Sequence, residues 1–267
     1  MIVGFAIPRK DVVIEIYNRL KKDYPNIDVI SVYGGHNNNL EGQLIVLTTH
    51  QLIKYKNYFD LLILDEADAF PFYGNELLNQ FLKESIKGPI IYLSATIKED
   101  FKRTCKNIVY VNRRFHNYDL PVPIYVKTYK YNIIETLKST IELLKNKQIL
   151  IFVPTIQIGM ELSKTTCYPF IYSSYEKKQF YIDLFKNNKL KIMITTSILE
   201  RGITFFDVQV IVFQADHCLF DEATLIQISG RVGRKKNAPK GKVYFLSKTL
   251  SEDMKKCINQ IKRKNSA

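Results

Sequence analysis

The sequence has 267 residues but only four cysteines, Cys105, Cys167, Cys218 and Cys257, and no two of them form a Cys-x-x-Cys pair. That spacing gives neither a zinc site nor a disulfide framework, so reduced thiols in a cytoplasmic protein are expected. No apolar run reaches the roughly 20 residues that a membrane helix needs, and direct membrane insertion is not expected. Met1-Ile2-Val3-Gly4-Phe5 lacks a basic n-region and a small-residue cleavage site, which argues against a secretory signal. A Gly-x-x-x-x-Gly-Lys-Ser/Thr pattern is also absent. That loop would supply a cradle of backbone N–H groups and a lysine for terminal phosphates.

Positive charge is what the sequence has in excess. It carries 39 Lys and Arg against 26 Asp and Glu, a net charge of +13. A polyanionic partner would be favoured by counterion release. Heavy use of Lys, Ile and Asn would also follow from an AT-rich coding sequence, so charge alone leaves both explanations open. The length suffices for two compact domains, each with its own core.

Leu61-Leu62-Ile63-Leu64 is an apolar run that ends in Asp65-Glu66-Ala67-Asp68. Apolar on both faces, it has the pattern of a buried strand in a parallel sheet. Carboxylates at the carboxyl end of such a strand stand where open α/β sheets bind ligands. They suit a magnesium–nucleotide complex, one acid holding the metal and one orienting the attacking water.

Strands alternate with helices throughout. The first half has strands at Ile2–Ile7, Ile27–Val32, Leu44–Leu47, Leu61–Leu64, Pro89–Leu93 and Ile108–Val111. Asp11 is placed to cap a first helix, and further helices run from Glu76 to Ile86 and from Glu99 to Cys105. Asn112 to Pro123 holds Arg113, Arg114, His116 and two prolines, and has the composition of a linker. A second series follows. Its strands are Ile124–Tyr129, Gln148–Val153, Pro169–Tyr172, Lys191–Thr195, Val208–Phe213 and Lys242–Leu246. The helices among and after them include Ile133–Lys145, Gln157–Lys164, Glu176–Asn187, Asp221–Ser229 and Ser251–Arg263. The alternation predicts doubly wound, mostly parallel sheets with right-handed crossovers.

Further segments at predicted element ends line up with the acidic strand. They are Ser94-Ala95-Thr96, Ile151-Phe152-Val153-Pro154-Thr155, Thr195-Thr196-Ser197-Ile198-Leu199-Glu200-Arg201-Gly202 and Gln227-Ile228-Ser229-Gly230-Arg231-Val232-Gly233-Arg234. Their order and spacing resemble those of superfamily 2 helicases across essentially the whole chain. Leu199-Glu200-Arg201-Gly202 and the initial Gln227 depart from the DEAD-box RNA helicase pattern. With Asp65-Glu66-Ala67-Asp68-Ala69-Phe70-Pro71-Phe72, they look most like the ComFA late-competence ATPases of Gram-positive bacteria.

The resemblance implies an α/β fold of two tandem RecA-like domains, each a mostly parallel sheet with helices on both faces. The first domain, residues 1–114, would lack its start. The linker would be 115–123 and the second domain 124–267. ATP and Mg2+ are the implied cofactors, with Asp65 holding the metal through water, and no zinc site. Glu66 would position and deprotonate water, Gln227 would sense the γ-phosphate, and Arg231 and Arg234 would act as arginine fingers. The i, i+3 spacing of the two arginines predicts one shared helix face. Asp68, Ser94, Thr96, Glu200, Arg201 and Gly202 would couple nucleotide state to domain closure. Pro8, Arg9, Thr48, Thr49, His50, Gln51, Thr155 and Thr196 would contact nucleic acid, since such residues at strand ends offer donors to phosphates. Capping or turn roles for each of these stay open. His36, His116 and His217 are assigned structural roles.

The implied function is that of an ATP-dependent single-stranded DNA helicase or translocase, cytoplasmic or peripheral to the membrane. The implied partners are single-stranded DNA and other competence proteins at the inner membrane face. Two alternatives stand beside it: a catalytically inactive DNA- or partner-binding remnant, because the phosphate loop is missing, and a DEAD-box-like RNA helicase.

Overall fold

The computed structural model describes residues 1–36, 39–67, 72, 74–94, 103, 105–111, 113–129, 131–196 and 204–266. The chain divides into two compact units, Met1–Ile108 and Val109–Ala267. Both are α/β units built on parallel sheets, as the alternation predicts, and both have the RecA-like arrangement.

The first unit contains β1 (Val3–Ile7), β2 (Val29–Val32), β3 (Leu44–Thr48), β4 (Leu61–Leu64) and β5 (Ile90–Tyr92). They form one sheet in the order β2-β3-β1-β4-β5, with every pairing parallel. Helix α1 (Lys10–Asp23) lies on one face, where Val13 packs with Ile7, Val29 and Val46. Helix α2 (Glu76–Ser85) lies on the other, where Leu78 and Leu82 pack with Ala6, Ile45, Leu47, Leu62 and Leu64. Val46 thus faces one way while Ile45 and Leu47 face the other. A strand covered on both sides needs this unbroken apolar run, and each fully buried aliphatic side chain contributes about 1.5–3 kcal/mol.

The second unit contains β6 (Ile124–Lys127), β7 (Gln148–Phe152), β8 (Phe170–Ile171), β9 (Ile192–Thr195), β10 (Val208–Phe213) and β11 (Val243–Ser247). Their order is β6-β11-β10-β7-β9-β8, again with every pairing parallel. On one face, Leu137 and Ile141 of α3 (Ile133–Glu142) and Leu162 of α4 (Ile156–Thr166) pack with Ile149, Ile151, Ile211 and Phe213. The opposite face belongs to α5 (Lys178–Lys186), α6 (Glu222–Ser229) and α7 (Glu252–Ser266). There, Phe185, Leu225 and Met254 meet Leu150, Phe152, Val210 and Val212. Alternate residues of the central strands feed opposite cores, which is the period-2 rule applied to a sheet buried on both faces.

Three local expectations are corrected. Arg9, not Asp11, occupies the N-cap of α1; it makes no side-chain cap bond, and Asp11 lies in the first turn, where its charge complements the helix dipole. Ile108-Val109-Tyr110-Val111 has strand propensity but belongs to no sheet, and Val109 and Val111 are exposed. Arg231 and Arg234 do not share a helix face. Helix α6 ends at Ser229 with Gly230 as its C-cap, and Gly233 has a positive φ of 71°, so both arginines lie on the turn beyond the helix.

Candidate functional site

In the first unit the strand ladder brings the acidic turn to the basic one. Ile7 lies opposite Thr48 and Ala6 lies opposite Leu64, so β1 ends between β3 and β4. Pro8 and Arg9, Thr48 and Thr49, and Asp65 and Glu66 therefore leave the same sheet edge side by side. The Asp65 N–H donates to Ala6 O at 2.9 Å, which extends the ladder by one residue. Asp65 Oδ1 accepts the Glu66 N–H at 3.0 Å. Glu66 then adopts a left-handed backbone with φ of 52°. A β-carbon disfavours that conformation by about 1–2 kcal/mol, and such strain gathers where a side chain must be aimed. Leu93 clasps the turn, donating to Leu64 O at 2.8 Å and accepting from Ala67 N–H at 3.3 Å, and so brings Ser94 beside the acids.

The residues expected to contact nucleic acid divide by exposure. Thr48 and Thr49 are buried, and His50 is exposed. Thr49 and Gln51 lie in the short 3-10 turn Thr49–Lys54. Thr49 Oγ1 and Gln51 Oε1 are buried and have no hydrogen-bond partner among the described residues. Buried polar atoms are rarely left unmatched, so this turn holds unused hydrogen-bonding capacity at the ligand-binding edge. The Arg9 guanidinium reaches Asp11 Oδ2 at 3.3 Å. Asp68 and Thr96 lie outside the described residues.

In the second unit, Thr155 caps α4, its side chain accepting the Ile158 N–H at 3.2 Å. Thr196 follows β9, and its carbonyl accepts from Thr195 Oγ1 at 3.0 Å. Glu200, Arg201 and Gly202 lie outside the described residues. Asp221 caps α6 by accepting the Thr224 N–H at 2.8 Å, which starts the helix that carries Gln227, a half-buried residue. The arginine turn follows. Arg231 is only 2% exposed, whereas Arg234 is half-buried and its Nε donates to Gly230 O at 3.0 Å.

Two residues from the stretch with linker composition hold this turn. Arg114 Nη1 donates to Val232 O at 2.6 Å and its Nη2 to Gly230 O at 2.9 Å. His116 Nε2 lies 2.9 Å from Gly233 O and donates to it. Burial, and then the neighbouring Arg234, lower the Arg114 pKa to about 10, so it stays charged at neutral pH. Gly233 is required here, because a β-carbon would meet Pro239 O at 2.3 Å and Arg114 Nη1 at 3.0 Å. The turn gathers several cations in one place, an arrangement fitted to a polyphosphate.

Comparison with known proteins finds relatives of the whole chain. Residues 132–236 match the helicase conserved C-terminal domain. Over 98% of its length the chain is 36% identical to competence protein ComFA of Streptococcus pneumoniae and 32% identical to competence protein ComFA of Bacillus subtilis. Along nearly its whole length the chain is thus similar to the ComFA proteins, and its second unit matches a helicase domain. It spans 66% and 61% of the lengths of those two relatives. Among solved structures it resembles Saccharomyces cerevisiae Dbp5 bound to RNA and ADP BeF3, with a TM-score of 0.73 and 17% identity, covering 99% of this chain and 75% of that one. It also resembles the Mycobacterium smegmatis helicase Lhr bound to ssDNA and AMP-PNP, with a TM-score of 0.67 and 17% identity, covering all of this chain and 42% of that one. At such identity the structural likeness speaks for the fold. That fold is a nucleotide-binding one, and the donors here suit it: carboxylates for a hard cation in the first unit, guanidinium groups for phosphate in the second. Among the described residues no helix is long and apolar enough to cross a membrane, and no cluster of three or more His, Cys, Asp or Glu is placed to hold a metal.

Proposed function

We propose that the chain is the motor core of an ATP-driven single-stranded DNA translocase that acts in the uptake of transforming DNA. Other competence proteins at the inner membrane face would be its partners. The observation that carries this reading is the acidic turn, with Asp65 fixed by the β1 ladder and Glu66 held in a strained left-handed conformation beside it. Asp65 would hold Mg2+ through water, and the bound metal would neutralise charge on the transferred phosphoryl group. Glu66 would orient the attacking water and take its proton. Gln227 would sense the γ-phosphate, while Arg231 and Arg234 would offset its developing charge. Asp68, Ser94, Thr96, Glu200, Arg201 and Gly202 would link nucleotide state to closure. Pro8, Arg9, Thr48, Thr49, His50, Gln51, Thr155 and Thr196 would grip the strand.

The test is ATP turnover by this chain with and without single-stranded DNA. Turnover should rise with DNA and fall at least about a hundredfold in Glu66→Gln, while nucleotide binding is retained. Undiminished turnover in that variant overturns the base assignment. One observation favours a second reading: the sequence contains no Gly-x-x-x-x-Gly-Lys-Ser/Thr pattern. Salt-dependent binding of single-stranded DNA that ignores nucleotide, with no turnover, would establish this chain as a binding module instead.

A further inference from the structure

A cavity of about 420 Å³ opens in the second unit, and among the described residues no arginine lines it. Gln214, Asp216, His217 and Lys248 line it, with Tyr129 and Ile133 at one side. It sits where β6, β10 and β11 end, since Ser247 lies opposite Lys127 and Leu246 lies opposite Phe213. Thr155 and Thr196 leave the same edge of the same sheet, after β7 and β9. Two strand spacings separate β9 from β10 and four separate it from β6, so the cavity's lining lies roughly 10–20 Å along that edge from Thr196.

Beside the cavity stands an aromatic pair. The rings of Tyr129 and Tyr131 are 5.7 Å apart and within 12° of parallel. Tyr131 is 85% exposed, and Tyr129 is also open to solvent. The segment carrying them is a tight turn, in which the Tyr129 N–H donates to Asn132 Oδ1 at 2.7 Å and the Asn132 N–H donates to Tyr129 O at 3.1 Å. The Lys127 ammonium lies 5.6 Å over the Tyr129 ring. Exposed parallel rings on a braced turn, flanked by lysines, form a stacking platform rather than core packing.

The lining chemistry is mixed in a useful way. Gln214 has a positive φ of 54° at the end of β10, a strained placement that aims its amide. His217 Nδ1 accepts the Leu219 N–H at 3.2 Å, which leaves the proton of the neutral ring on Nε2. Asp216 accepts from both Thr249 N–H and Thr249 Oγ1, at 3.1 and 3.0 Å. That carboxylate disfavours a phosphate inside the cavity and suits the exocyclic amine of a base.

We propose that this cavity and the Tyr129–Tyr131 pair form a base-binding subsite for single-stranded nucleic acid, one unstacked base resting on the tyrosines and its flanking phosphates on Lys127 and Lys248. The proposal rests on the nucleic-acid reading above and extends the track beyond the residues assigned there. The sequence contains no tryptophan, so Tyr131→Trp creates a lone reporter at an exposed position that the fold tolerates. Titration of that variant with a dT 12-mer should quench its emission. Tyr131→Ala should weaken dT 12-mer binding about fivefold or more with an unchanged salt slope, because stacking releases no counterions. Tyr131→Phe should restore the affinity. Lys248→Ala should instead lower the salt slope by about 0.7. Unquenched emission together with parent-like binding by Tyr131→Ala overturns this subsite while leaving the nucleic-acid reading intact. A parent chain that binds neither the dT 12-mer nor a matching rU 12-mer at low salt overturns both.

Discussion

The two units share one architecture but hold their charged turns by opposite means. In the first unit the acids continue a central strand, and the backbone of the neighbouring strand positions them: Asp65 N–H bonds to Ala6 O, one strand away. In the second unit the arginines lie past the end of a helix, on a turn beyond the C-cap Gly230. Side chains from far along the sequence hold that turn, Arg114 reaching Val232 and Gly230 and His116 reaching Gly233. A turn fixed by a sheet is as rigid as the sheet. One fixed by a few side-chain bonds has fewer, separable supports, and the two from the Arg114 guanidinium are charge-assisted, worth about 1.5–3 kcal/mol each.

The comparison breaks most sharply at Gly233. Gly233→Ala meets both a positive φ and a backbone oxygen at 2.3 Å, so it should cost the second unit 3 kcal/mol or more, by rough analogy with other left-handed and overpacked sites. Urea unfolding followed by hydrogen exchange in β10 and β11 would show it. Arg114→Ala comes next. It strips two carbonyls of a buried donor and should cost about 2–3 kcal/mol in the second unit while leaving exchange in β1–β4 unchanged. Equal loss in both units would refute the separation. Thr155→Ala removes one helix cap and should cost about 1 kcal/mol. Glu66→Gly goes the other way, stabilising the first unit by up to about 1 kcal/mol through relief of its backbone strain, even as turnover is lost.

The smallest effect is one of pH. The Ile2 N–H donates to Asp60 at 2.7 Å and holds that carboxyl below its ordinary pKa of 3.8, with Lys87 adding to the effect against partial desolvation. A carboxylate with a lowered folded pKa stabilises the protein above its unfolded pKa, and loses that contribution as pH falls through the folded value. Asp60→Asn should therefore flatten the acid limb of stability below about pH 4 and leave the neutral range little changed.

Much of this was legible along the chain. Unbroken runs such as Leu61–Leu64 and Val208–Phe213 declare strands, and the alternation with amphipathic helices declares parallel sheets. Asp65 and Glu66 were legible because they follow such a strand directly. Arg114 and His116 were not. A basic residue in a proline-flanked stretch looks solvated, and nothing in the sequence marks bonds that span 116 to 118 positions. Ile108–Val111 failed in the reverse sense, since strand propensity without a partner strand makes no strand.

The sequence by itself determined the elements, the two cores and the acidic strand end, because local periodicity and the next residue along the chain set them. Tertiary structure alone decided that the arginines leave their helix at Gly230, that Arg231 is buried while Arg234 is not, and that a distant arginine and histidine hold their turn. It also decided that Tyr129, Gln214, His217 and Lys248, drawn from three strand ends, line one cavity. Hydrogen bonds and packing between residues a hundred positions apart depend on strand order, and strand order is set only when the whole sheet has formed.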